Sequence, residues 1–201
     1  MSKAVHTRDR IIEQAAQLFN QQGFAGVSLS ALMAATGLKK GGIYNHFASK
    51  DELAIAAFHY SVQLASQRQF AAMRSQRQAD KRLRVMVETF VDSFDEISAW
   101  GGCPLMNTAL DSDDAHPQLR EQARLAMNRW RELIEHIVQK GLDRGELAPQ
   151  TQPSAVATIL ISVLEGALAL ARLEGDRTPM QHAKTHLDNY INGLVLAPNT
   201  S

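Results

Sequence analysis

The segment SLSALMAATGLKKGGIYNHFASKDEL, Ser28 to Leu53, carries two patterns that neither a core helix nor a linker would combine. Leu29, Leu32, Ile43, Tyr44 and Phe47 recur at helical spacing, which excludes a flexible linker. Gly37, Gly41 and Gly42 stand beside Lys39, Lys40 and Lys50, which excludes a plain core segment. Two short helices joined by a tight glycine-containing turn satisfy both patterns, and that unit is a helix-turn-helix. Gly37 suits the left-handed conformation needed after the first of the pair. Ala31, Leu32 and Ala35 can face a preceding helix, while Leu38, Ile43 and Phe47 hold the next one against it. Lys39, Lys40, Gly41, Gly42 and Asn45 are left on the outside.

That division suits a helix whose N-terminal end enters the major groove, because few side chains read base edges while the rest anchor the unit. The lysines can bind phosphate or guanine, and Asn45 can read adenine or touch the backbone. Gly41 and Gly42 disfavour a helix; close backbone approach to DNA is a reason to keep them. Ser28 and Lys50 fall at helix N-termini, where free amides and the helix dipole favour phosphate. Tyr44 and His46 offer polar tips to further phosphates, contacts that position the unit without specifying sequence.

Working outward, helical periodicity recurs and no segment alternates with period two, so the expected fold is all-α. The first helix is expected from about Thr7, as N-cap, to Gln22, with Gly23 stopping it and Ile11, Ile12, Ala15, Leu18 and Phe19 as its apolar stripe. A second follows Ser28 to Gly37, and a third spans about Lys40 to His46. The fourth opens with a capping box, in which Ser49 caps the amide three residues on and Glu52 reaches back to the Ser49 amide; it continues to about Met73. After the polar SQRQADKR, a fifth helix carries Val85, Met86, Phe90, Val91 and Phe94. AWGGCPLMN breaks the pattern and starts a short sixth helix with Pro104 at its first position. An Asp-rich loop precedes Pro117, and a long seventh helix carries Leu125, Trp130, Ile134 and Ile137 towards Gly145. The final helix opens with Thr178 as cap, Pro179 at the first position and Gln181 closing a capping box.

Between them runs AVATILISVLEGALALARL, Ala155 to Leu173, close to the length of a bilayer span. Thr158, Ser162, Glu165 and Arg172 interrupt it and no aromatic belt flanks it, so a helix buried between protein layers is favoured and no membrane partner is expected. The 201 residues are 45% hydrophobic and 21% charged with a formal net charge of zero, which argues against an extended nucleic-acid-coating surface but leaves room for a local basic patch. No apolar run follows the first lysine, so no secretory signal is expected. Cys103 is the single cysteine, which rules out an internal disulfide and fits a reducing, cytoplasmic compartment.

From Thr7 to Ala56 the chain resembles the tetracycline-repressor (TetR) family of bacterial transcription regulators. The family ending G-(I/L)-Y-x-(H/Y)-F-x-(S/N)-K-(D/E)-x-L is met in full by Gly42, Ile43, Tyr44, His46, Phe47, Ser49, Lys50, Asp51 and Leu53, and Phe19, Gly23 and Phe24 also sit at family spacing. Leu32-Met33 stands where the family often has Ile-Ala, a conservative departure. The resemblance implies phosphate contacts by Ser28, Tyr44, His46 and Lys50, and base or backbone contacts from Lys39, Lys40 and Asn45. With Gly41 and Gly42 in place of base-reading side chains, specificity leans on DNA shape.

The resemblance further implies a DNA-binding domain over 1–53 and a helical effector-binding and dimerisation domain over 54–201. Its last two helices would form a four-helix bundle with a second subunit, and the apolar surface of those helices agrees. Such a homodimer would present two recognition helices roughly 34 Å apart to a near-palindromic double-stranded operator. Its expected activity is repression, relieved by a small apolar or electrophilic effector.

Phe90, Phe94, Trp100 and Met106, with Leu110, Met127, Trp130 and Ile134, bring methionine and aromatic density to the central helices. Any one of them is more readily core, but together they can line an effector pocket, with Phe90, Phe94 and Trp130 its first wall candidates. Cys103 in GGCPLMN places a thiol at a helix start, where the dipole favours thiolate. The segment also resembles the Gly-Cys helix start of family members that respond to electrophiles or oxidants. A small buried residue at a helix start is the competing reading. His116 and His136 are the nearest possible bases and no triad spacing is visible, so no catalytic residues are expected. His182 and His186 stand at i, i+4 without an acidic third ligand, so no metal and no cofactor are expected. The alternative function is a helical ligand-binding or interaction protein that keeps the scaffold without specific DNA binding; salt-dependent DNA affinity separates the two.

Overall fold

The computed structural model describes residues 3–112 and 116–196. The acidic loop expected before Pro117 lies, at 113–115, outside the described residues. Among the described residues ten helices run in chain order: α1 Lys3–Gly26, α2 Leu29–Thr36, α3 Lys40–Tyr44, α4 Lys50–Met73, α5 Ala79–Asp92, α6 Phe94–Ala99, α7 Pro104–Asp111, α8 Pro117–Asp143, α9 Pro153–Glu174 and α10 Thr178–Leu194. Among the described residues the β pairing consists of one isolated antiparallel bridge, Leu147 with Val195. The fold is all-α, as the periodicity predicts.

Several boundaries differ from the expectation, each for a local reason. Gly23 interrupts α1 without ending it: at φ 70° and ψ 167° it breaks the helix, which then resumes to Gly26. The fifth expected helix is two, because α5 stops at Asp92 and α6 begins at Phe94. Between them Ser93 takes φ −78°, ψ 4°, and its hydroxyl donates to the Thr89 carbonyl at 2.7 Å, competing with regular helix geometry. The expected sixth helix is therefore α7. At the start of α10 the N-cap position falls to Arg177 rather than Thr178, which is the first helical residue; Asp176, just before it, accepts from the Thr178 amide and hydroxyl, both at 3.0 Å.

The chain forms two compact units. One comprises the residues up to Ala65 together with Ile97–Ala126, and the other Ser66–Glu96 with the chain from Met127 onward. A cut after residue 53 follows chain order; the compact units do not, because α7 returns to pack on α1. In the first unit, Ile11, Ile12, Ala15, Val27, Leu32, Ile43, Phe47 and Leu53 form the buried core, with Phe19, Leu38, Tyr60 and Trp100 packed against it. Each fully buried Leu, Ile or Phe contributes about 1.5–3 kcal/mol, so this cluster orients α1 to α4 far more strongly than intrinsic helix propensity.

In the second unit α5, α9 and α10 pack on one another. Leu83, Met86, Leu160, Leu164, Leu187 and Ile191 are fully enclosed there. Arg84 of α5 reaches Asp188 of α10 at 3.2 Å. α9 is the one described helix long and apolar enough to cross a membrane, and half of its apolar window is buried within the protein.

Candidate nucleic-acid interface

The interface is built from caps inward. Ser28, in extended conformation, accepts from the Ala31 amide at 3.1 Å and starts α2; Gly37 at φ 67° ends it. Lys39 takes the N-cap position of α3 in extended conformation, with Lys40 as its first helical residue. Both lysines are exposed, as are Ser28, Gly41 and Asn45. Gly42, Tyr44 and His46 are half-buried, and Ile43 and Phe47 point into the core. The Lys40 ammonium lies 5.9 Å from the centre of the Tyr44 ring, close enough for a weak cation–π attraction that biases the lysine towards the α3 surface.

The glycines have no internal explanation. A Cβ built at Gly41 meets nothing within 4 Å, and one at Gly42 meets only the Leu38 side chain at an ordinary 3.4 Å. Packing within the chain would therefore tolerate alanine at both positions, so any steric reason for glycine lies outside the chain.

Two expected contacts take a different form. Ser49 does accept from the Glu52 amide at 3.1 Å, but Glu52 reaches the amide of Ala48 at 2.6 Å, one residue earlier than a regular capping box. Lys50 turns inward: its ammonium donates to the Phe24 carbonyl at 2.6 Å and sits 4.3 Å above the Phe24 ring. Burial pushes its pKa below the usual lysine value, with Asp51 and Asp111 pulling the other way. In this geometry Lys50 binds the end of α1 rather than an open surface.

Sequence reasoning missed Arg8, whose guanidinium lies 4.9 Å over the Phe47 ring. Its only sequence signal is a cation off the apolar stripe. It also missed the polar junction between α7 and α1. Asn20 donates to the carbonyls of Trp100 and Gly102 at 2.7 and 2.9 Å. Asn107 Nδ2 lies 2.9 Å from the Gly101 carbonyl and 3.1 Å from Asn20 Oδ1. Asp111 accepts from the Phe24 amide at 2.7 Å. The pairs that reach α1 from this segment stand 80 to 87 residues apart, so no local pattern reports them.

The expected effector residues divide between the units. Phe90, Phe94, Met127, Trp130 and Ile134 belong to the second. There Phe90 and Trp130 stack at 6.1 Å and 20°. Phe94 lies beneath the Arg177 guanidinium at 5.8 Å, and Ile134 is fully enclosed. Trp100, Cys103, Met106 and Leu110 belong to the first unit. Trp100 packs on the helix-turn-helix core. Cys103 is the half-buried N-cap of α7, and Met106 is half-buried within that helix. Leu110 is 76% exposed and lines a cavity of about 400 Å³ whose wall also includes Phe19, Asn20, Phe24, Phe58 and Asp111.

Residues 11–57 match the model of bacterial regulatory proteins of the tetR family, and residues 79–187 match the tetracyclin repressor-like C-terminal domain. A solved TetR transcriptional regulator from Chloroflexus aurantiacus J-10-fl is 42% identical, with a TM-score of 0.93 over 98% of this chain and 100% of its own. The transcriptional repressor DhaR of Mycobacterium sp. strain GP1 is 22% identical over 183 residues, 89% of this chain and 88% of DhaR. The repressor NemR of Escherichia coli K12 is 24% identical over 193 residues, 92% of this chain and 94% of NemR. The reduced form of E. coli NemR shares the fold, with a TM-score of 0.82 at 20% identity over 97% of this chain and 100% of its own.

Proposed function

The chain belongs to the tetracycline-repressor family of DNA-binding transcriptional regulators, which are not enzymes, and we propose that it acts as a cytoplasmic homodimeric repressor released from its operator by a small effector. The observation that carries this reading is the α3 surface. Lys39, Lys40 and Asn45 are exposed around Gly41, whose missing side chain answers to no neighbour in the chain. A duplex backbone or base edge pressed against α3 supplies the neighbour. Lys39 and Lys40 then meet phosphate or guanine, Asn45 reads adenine or phosphate, and the exposed Ser28 with the half-buried Tyr44 and His46 grips phosphates. Gly42 widens the same approach. Lys50 acts from behind, holding α1 to the start of α4.

The dimer reading is supported by α9, which leaves Leu170 51% and Leu173 85% exposed. Val163, Gly166, Leu170, Pro179 and His182 line a shallow groove on α9 and α10, and a second copy is its proposed occupant. For release, the stacked Phe90 and Trp130, with Phe94, Met127 and Ile134, are the proposed non-covalent effector wall. Cys103 at the head of α7 is the proposed electrophile-sensitive thiol, a reading helped by the existence of a relative solved in a reduced form. Trp100, Met106 and Leu110 flank that thiol on the same loop and helix. Either route works only if effector distinguishes the bound and released states.

The test is fluorescence anisotropy on the DNA upstream of this protein's own gene, titrated with salt and with a mild thiol-reactive electrophile. Affinity is expected to fall with log[salt] at a slope of about −0.9 per phosphate contacted. Electrophile is expected to release wild type and spare Cys103→Ser. Salt-independent or absent binding rejects the DNA-binding role, and equal release of both proteins rejects the thiol.

A further inference from the structure

Phe24 is held from every side. Its amide donates to Asp111 Oδ2 at 2.7 Å, and its carbonyl accepts from Lys50 at 2.6 Å. Its ring has the Lys50 ammonium 4.3 Å from its centre and the His116 imidazole 3.7 Å away, tilted by 56°. The amide needs an outside acceptor because Gly23, at φ 70°, has broken the helix immediately before it. Gly23 also makes room for that acceptor. A Cβ at residue 23 would lie 2.7 Å from Asp111 Oδ1 and 2.9 Å from Oδ2. The break in α1 and the approach of the carboxylate are thus one arrangement, which glycine alone permits.

The connection runs onward to the DNA-facing segment. Lys50 is the first residue of α4 and directly follows Ser49, the cap that ends the α3 connection. Asp111 therefore fixes Phe24, and Phe24 fixes the head of α4. Asn107, midway along α7, and the 100–102 loop before it hold Asn20, one turn earlier on α1. The segment from Trp100 to Asp111 is thus tied to residues 20–24 at its start, middle and end.

We infer that Asp111 is a positioning residue for DNA binding: its carboxylate, set against the glycine break, holds the end of α1 and through Phe24 the Lys50 end of α4 in the orientation that presents α3. This rests on the reading of α3 as the DNA-contacting helix. A carboxylate that merely capped a helix end would alter stability and leave the affinity of the folded protein alone.

The experiment compares wild type, Asp111→Ala and Asp111→Asn by anisotropy on the upstream DNA at several salt concentrations. Amide hydrogen exchange of residues 20–27 is measured on the same proteins without DNA, at a temperature where all three are folded. Asp111→Ala is expected to bind about tenfold more weakly, having lost a charge-assisted acceptor. The salt slope should stay unchanged, because no cation is removed. Its Phe24 amide should exchange faster. Asp111→Asn, whose carboxamide oxygen can accept the same N–H, is expected to restore both readouts towards wild type. If Asp111→Ala binds DNA like wild type, the inference is overturned. Unaltered Phe24 exchange in Asp111→Ala overturns it whatever the DNA result. Failure of wild type itself to bind DNA rejects the α3 reading instead, and the exchange measurement still decides whether Asp111 holds Phe24.

Discussion

At the scale of single residues, the informative positions are those whose identity the chain's own packing does not demand. Gly41 is exposed in a helix and touches nothing, so alanine there should stabilise the fold by up to about 1 kcal/mol through helix propensity. If DNA occupies the space, the same substitution should weaken DNA binding by about tenfold, the equivalent of about 1.4 kcal/mol. Thermal melting and anisotropy on one preparation would read both; a more stable variant that binds as well as wild type would remove Gly41 from the interface. Lys50 illustrates the opposite case. Its motif position suggests a phosphate ligand, yet the Phe24 carbonyl and ring claim the ammonium. Its lowered pKa records that burial outweighs the nearby Asp51 and Asp111.

At the scale of elements, α2 and the head of α4 depend on caps more than on length. α2 has eight residues, too few to persist without tertiary support, and Ser28 satisfies one of its orphan amides. Ser28→Ala should cost about 1 kcal/mol. For a chain of this size that lowers the melting temperature by about 2–4 °C per kcal/mol. DNA affinity should fall with it if the hydroxyl also touches phosphate; calorimetry separates the two effects, since affinity unchanged at full folding would leave Ser28 a cap alone. The helix starts at Ser28, Ser49 and Pro104 were all readable, because capping chemistry acts within a few residues. The Ser93 break between α5 and α6 was not. It lies at Ser93, whose backbone leaves the helical region at ψ 4°, a local break that hydrophobic periodicity does not encode.

At the scale of the molecule, the proposed homodimer makes its own prediction. Leu170→Glu places a charge on the exposed apolar face of α9, where a monomer would tolerate it and a dimer interface would not. Sedimentation should find a folded monomer with weakened operator binding, since two coupled half-site contacts become one. A variant that remains dimeric would move the interface elsewhere.

Much of this architecture was determined by the amino-acid sequence alone: an all-α chain, the helix-turn-helix between Ser28 and Phe47, its buried stripe and its exposed lysines. Those features rest on interactions between residues three or four apart, or on capping groups adjacent to the helices they cap, so the pattern is written locally. Tertiary structure alone decided that α1 resumes beyond Gly23, that Lys50 faces inward, and that α7 joins α1 in one compact unit. The bonds responsible, Asp111 to Phe24 and Asn107 to Asn20, each span 87 residues of chain. A carboxylate or an amide can serve many partners, and which one it meets is settled only when packing of the apolar stripes brings two distant helix ends to hydrogen-bonding distance.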